Sequence, residues 1–177
     1  LETITLTKTI KTMKALKRIL SFVALALLSS AAFAQLPSVQ LTDIDGNQVN
    51  TAELSNDGKP FIISFFATWC KPCNRELDAI QEQYEDWQEE TGVKVFAVSI
   101  DQGQNINKVK PMVDQKGWDY TILLDPNSEF KNALGIQMIP HLLVLDGDGK
   151  IVTRHPSYID GGEEEVIKEV REILQNK

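Results

Sequence analysis

Cysteine is scarce: the 177 residues hold two, Cys70 and Cys73, three positions apart. Domains that rely on disulfides for stability carry several pairs, so a disulfide-stapled scaffold is excluded. A bridge this short closes almost no loop, and chain-entropy stabilisation grows with loop length, so a chemical role is the better account of the pair. Long apolar runs are missing as well. A membrane-crossing helix needs about 20 apolar residues, whereas the one long apolar stretch is interrupted by Ser21, Ser29 and Ser30. No Gly/Ser-rich linker divides the chain.

The N-terminal residues follow the order of a secretory leader. Lys14, Lys17 and Arg18 come first, the apolar stretch Ile19–Leu28 next, and Ala32-Phe33-Ala34 forms a small-x-small cleavage pattern before Gln35. The expectation is a signal peptide over residues 1–34, with 1–12 an upstream extension ahead of Met13, and one domain over 35–177. Periplasmic or otherwise extracytoplasmic location follows, soluble after cleavage; retention as an N-terminal membrane anchor is the other reading. No cysteine lies near the cleavage point, which speaks against a lipid-modified terminus. Five of the 18 basic residues and one of the 25 acidic ones fall in the leader, leaving 13 against 24 and a formal charge of −11. That balance repels nucleic acid and anionic headgroups. The remaining length suits a single core and leaves no room for a second catalytic domain.

Apolar periodicity divides residues 35–177 into alternating strands and helices. Val39–Thr42 and Gln48–Asn50 flank Asp45-Gly46-Asn47 as an opening hairpin. Phe61–Phe66 is nearly all apolar, as a central strand covered on both faces requires. Leu77, Ile80, Tyr84 and Trp87 recur at spacings of three and four and predict an amphipathic helix that Gly92 ends. A strand over Val95–Ile100, a helix carrying Val109 and Val113, a strand over Thr121–Leu124 and a short helix from Ser128 to Leu134 follow. Leu142–Leu145 and Ile151–His155 flank Asp146-Gly147-Asp148-Gly149 as a second hairpin. That turn lacks the spacing and terminal Glu of a calcium loop. Val166, Val170, Ile173 and Leu174 mark a closing helix. The fold class is α/β: a central mixed sheet flanked by helices on both faces, with an N-terminal β-hairpin and a βα insertion.

The chemistry sits in Trp69-Cys70-Lys71-Pro72-Cys73, at the junction of a buried strand and a helix. A thiolate, not a thiol, attacks disulfides, and a helix N-terminus favours the thiolate through its partial positive charge. Cys70 occupies that place, Lys71 adds positive charge, and Pro72 suits a first turn whose N–H groups are unpaired anyway. Cys73, a turn further in, is the natural resolving thiol. Attack by Cys70 on a partner gives a mixed disulfide that Cys73 then breaks.

A CxxC preceded by Trp at such a junction, with Ile139-Pro140 ahead of a later strand, resembles the thioredoxin-like superfamily. The pattern is similar to its exported TlpA and ResA-like thiol-disulfide oxidoreductases, from about Val39 to the C-terminus. The resemblance implies a thioredoxin-like fold and a redox-active Cys70–Cys73 pair acting on protein thiols and disulfides. It also implies a reductant's role of the kind that serves cytochrome c maturation; the electron donor is unidentified, a membrane-embedded protein being one option, and no bound cofactor is expected. It further implies that Pro140 is cis and faces the cysteines, leaving the backbone of Ile139 to pair with a partner peptide. His141 departs from the Thr or Ser more common there. A second departure is Ser64, six residues before Cys70, where many thioredoxins keep a buried acid. Glu76, three beyond Cys73 on the same helix face, is then the candidate proton acceptor, and ResA-like proteins carry a functional acid at that place. Its other reading is an exposed first-turn carboxylate favoured by the helix dipole. Trp69 shields the cysteines or belongs to the core.

Two other functions compete. Metal binding or copper delivery would draw on Cys70, Cys73, His141 and His155, but the two histidines are 14 positions apart and form no closely spaced ligand pair. Covalent haem attachment fails because Asn74 stands where C-x-x-C-H requires His. A thioredoxin-fold peroxidase would use Cys70 against peroxide and Cys73 to resolve the sulfenic acid. Thr68 is present for it, though the proline such enzymes usually carry before that Thr is not.

Overall fold

The structure is a computed structural model that describes residues 36–176. The expected signal peptide lies outside the described residues. Strands β1 (Gln40–Asp43) and β2 (Gln48–Asn50) form the opening hairpin. Then come β3 (Phe61–Phe66), α1 (Lys71–Thr91), β4 (Lys94–Ser99), α2 (Val109–Lys116), β5 (Thr121–Leu124) and α3 (Glu129–Ala133). The chain closes with β6 (His141–Leu145), β7 (Ile151–His155) and α4 (Glu163–Gln175). The seven strands make one mixed sheet in the order β2-β1-β5-β4-β3-β6-β7. β3 and β4 are parallel, as are β4 and β5, while β6, between β3 and the edge strand β7, runs antiparallel to β3.

Strand periodicity sorts β3 between two cores. Ile62 and Phe66 join the side chains of α1 and α4, among them Leu77, Ile80, Trp87, Val166 and Val170. Phe61, Ile63 and Phe65 face the other side, where Phe130 of α3 and Ile136 cover them. Helices therefore lie on both faces, as the alternation required. Along α1 the buried residues Leu77, Ile80, Tyr84 and Trp87 form the expected stripe, and Gly92 stops the helix in the left-handed region at φ 67°. Arg171 of α4 fastens the two helices, donating Nε and Nη2 to the carboxylate of Glu90, both at 2.7 Å.

Two short 3-10 turns, Thr51–Glu53 and Gly103–Lys108, carry no apolar period and were not anticipated. The first exists because the Asn50 side chain accepts the Ala52 N–H at 3.0 Å. At the opposite end of β3 from the cysteines, the β6–β7 turn presses on the loop before β3. A Cβ at Gly147 would lie 1.9 Å from the Gly58 carbonyl oxygen, so only glycine fits there. Among the described residues no helix is long and apolar enough to cross a membrane.

Candidate active site

β3 delivers the chain at its C-terminal end to the turn Ala67-Thr68-Trp69, and Cys70 then caps α1. The Cys70 N–H donates to the Ala67 carbonyl at 3.0 Å, and its Sγ accepts the Cys73 N–H at 3.3 Å. One of the unpaired N–H groups of the helix start thus points at the first sulfur, where it favours negative charge. The two cysteines are joined by a disulfide with S–S 2.03 Å. Their exposure is unequal: Cys70 is 6% exposed and Cys73 fully buried. A partner can reach only the first. Lys71 is exposed and Pro72 half-buried in the first helical turn.

Trp69 is 60% exposed, which removes it from the core and leaves its indole on the surface beside Cys70. Ile139-Pro140 is a cis peptide bond. Pro140 is buried, and Ile139, half-buried, packs against both cores at the head of β6.

Glu76 corrects one of the two readings of this residue. It is not an exposed first-turn carboxylate but only 3% exposed on the inner face of α1. Ser64 Oγ donates to its Oε2 at 2.7 Å, so the position that lacks an acid supplies the hydroxyl that holds one. Burial pushes the Glu76 carboxyl up to about 7; the Ser64 hydrogen bond and then His155 pull the other way, and Glu163 adds a smaller upward push.

A second carboxylate went unnoticed in the sequence. Asp101, 2% exposed, accepts Thr68 N–H and Thr68 Oγ1–H, both at 2.7 Å, and Ser99 Oγ–H at 2.9 Å. Asn74 Nδ2 donates to the Thr68 carbonyl at 3.2 Å from the first turn of α1. Thr68 is therefore clamped from two sides, and with it the backbone that presents Cys70. The available signal was positional: Asp101 follows the C-terminal end of β4, whose Ser99 pairs in parallel register with Phe66.

His141 and His155 do not converge. The register sets Leu142 opposite His155, so the neighbouring His141 projects to the other face of the sheet. His141 Nε2 is buried without a hydrogen-bond partner among the described residues. Burial first, then the cations Arg154 and Lys131 and the His155 ring, hold its pKa below the usual imidazole value. Among the described residues no group of three or more His, Cys, Asp or Glu side chains is arranged to hold a metal ion. His155 instead lines a cavity of about 220 Å³ with Glu76, Leu142, Tyr158, Ile159 and Glu163.

Residues 33–154 match the AhpC/TSA family. The chain belongs to that family. Among relatives, it is 30% identical over 118 residues to the thiol-disulfide oxidoreductase ResA of Bacillus thuringiensis, an alignment that takes in 67% of this chain and 65% of the relative. The chain thus spans just under two thirds of the length of that relative. Proteins of known structure share the architecture. A thioredoxin-like protein from Porphyromonas gingivalis superposes with a TM-score of 0.72 at 58% identity, over 81% of this chain and 94% of that one. The thioredoxin domain of a thiol-disulfide oxidoreductase from Bacteroides vulgatus superposes at 0.62 and 21% identity, over 80% and 99%. The fold is thioredoxin-like, as the resemblance implied.

Proposed function

We propose that the chain is an extracytoplasmic thiol-disulfide oxidoreductase that exchanges the Cys70–Cys73 bridge with partner proteins and works chiefly as a reductant. The observation that carries this reading is the asymmetry of the pair: a reachable sulfur at a helix N-terminus and a sealed one a turn behind it, in a chain with no other cysteine. In the reduced protein the Cys70 thiolate attacks a partner disulfide, forming a mixed disulfide and expelling one partner thiolate. Cys73 then gives its proton to Glu76 and attacks Cys70 Sγ, which forms the bridge and expels the second partner thiolate. Two electrons pass to the partner. Trp69 and the backbone of Ile139 flank the reacting sulfur and receive the partner as an extended segment. The ResA relative supports the class of activity, and the leader pattern in residues 1–34 supports export. A membrane-embedded donor would return the electrons.

The test is the reduction potential of the protein equilibrated against defined thiol buffers, read by Trp69 fluorescence and thiol alkylation. A reductant sits near or below about −250 mV, and a value near about −120 mV would make it a disulfide-forming oxidant instead. In parallel, Cys73→Ser is expected to trap partners as mixed disulfides while Cys70→Ser traps none.

A further inference from the structure

Glu76 poses a problem of turnover. A carboxyl this deeply buried can take the Cys73 proton once, and it must lose that proton before the next cycle. Neither sulfur can accept it back without reversing the reaction, and the hydroxyl of Ser64 already donates to it. The remaining side that opens is the cavity of about 220 Å³, large enough for several waters.

We propose that His155, held by Glu169, returns Glu76 to its carboxylate form by receiving across this cavity the proton that Glu76 takes from Cys73. This rests on the exchange reactions set out above. His155 Nε2 lies 2.9 Å from Glu169 Oε2, and a carboxylate only accepts, so the neutral ring places its proton on Nε2 and keeps Nδ1 as the basic nitrogen. The ring is half-buried at the end of β7 and lines the same cavity as Glu76. Glu169 on α4 also accepts from Thr153, which fixes the carboxylate that fixes the ring.

The balance is simple. Cys73 S–H gives its proton to Glu76 as its sulfur bonds to Cys70 Sγ. The protonated Glu76 then passes a proton through cavity water to His155, leaving a carboxylate and an imidazolium paired with Glu169. The imidazolium releases the proton to solvent at the cavity mouth, beside Tyr158 and Ile159. No electron moves in these later steps. The titratable groups around the ring are Glu76 from α1, Glu163, Glu165 and Glu169 from α4, and Tyr158 from the connecting loop, while β6 brings Leu142 and, on its other face, His141, whose pKa the His155 ring helps to lower. A positive charge on the His155 ring favours the Glu76 carboxylate, in the direction that His155 already shifts this group.

His155 touches neither sulfur nor partner, so it acts only through Glu76, and a pH profile separates this from a structural role. The reduced full chain is mixed with 5,5′-dithiobis(2-nitrobenzoate) in a stopped-flow instrument. The first equivalent of released thiolate reports attack by Cys70, and the second reports attack by Cys73. For His155→Gln, the midpoint of the second phase is expected to rise by about one pH unit, and its rate at pH 7 to fall roughly fivefold. The first phase is unchanged. Glu169→Gln shifts the same midpoint the same way, and His155→Gln added to Glu76→Gln has no further effect. A His155→Gln profile that overlays the parent, or an effect that persists in the Glu76→Gln background, overturns the proposal. Release of both equivalents from Cys73→Ser would instead overturn the exchange reading, so the two failures are distinguishable. Should His155→Gln misfold, the Glu169→Gln profile decides alone.

Discussion

At the scale of single residues, Glu76 stands apart because its environment asks for a proton. Burial raises its carboxyl to about 7, whereas in the unfolded chain a glutamic acid titrates near about 4.3. The folded state therefore binds the proton more tightly. Stability tied to this group is fully present below the unfolded value and is lost as pH rises through about 7, to a limit of about 4 kcal/mol. Glu76→Gln should accordingly raise the melting temperature at pH 8 and leave it nearly unchanged at pH 4, which thermal melts across that range would check. The same variant should flatten the pH dependence of Cys73 attack between pH 6 and 8. Glu163→Gln removes a negative charge that pushes Glu76 upward, so the midpoint of that step should move down. The sequence marked Glu76 through its i,i+3 spacing from Cys73, yet it carried no sign of burial, because an acid near a helix start looks the same in either setting. What decides is Ser64, twelve residues earlier on another element, and no local pattern links the two.

Among the elements, the junction of β3 and α1 is where legibility was best and also where it ran out. Apolar spacing located the helix, its stop at Gly92 and its inner face, since periodicity follows from which side meets the sheet. The clamp on Thr68 was invisible, for it joins the ends of two parallel strands that are neighbours only after folding. Asp101→Asn puts an amide where Thr68 N–H and Oγ1–H now donate to carboxylate oxygens. It should cost about 1–3 kcal/mol in urea denaturation, the range for leaving buried polar groups imperfectly paired. It should also slow the first phase of thiol exchange, because the turn that presents Cys70 is no longer fixed. At the other end of the sheet, Gly147→Ala forces the β6–β7 turn away from the Gly58 carbonyl. A loss of about 1–3 kcal/mol is expected, with no change in either exchange phase. The three strands whose boundaries moved by one residue, β1, β4 and β6, reflect hydrogen-bond register, which side-chain alternation does not carry.

For the whole molecule, the acidic balance becomes a statement about partners. Asp160, Glu163, Glu164 and Glu165 gather where the β7–α4 connection meets the start of α1, and the Asp160 carboxylate lies 3.4 Å from the Arg75 guanidinium. Cationic disulfides should therefore react faster than anionic ones. Cystamine is expected to outpace oxidised glutathione at low ionic strength, with the two converging as salt shortens the Debye length to about 3 Å near 1 M. Equal salt dependence for both would argue against any steering. The mixed sheet, its two cores and the cysteine junction were legible from residue patterns, whereas the polar bonds between elements were not. The Ser64 hydroxyl leads to a different consequence. It sits beneath the helix, away from the exposed Trp69 and the Cys70 sulfur, and yet it bears directly on the proton affinity of Glu76. Replacing this one hydroxyl retunes the acidity at which the molecule works while leaving its recognition surface as it was. In the proposed exchange, adaptation to a more acidic or more alkaline habitat and choice of partner are thereby separable in this chain.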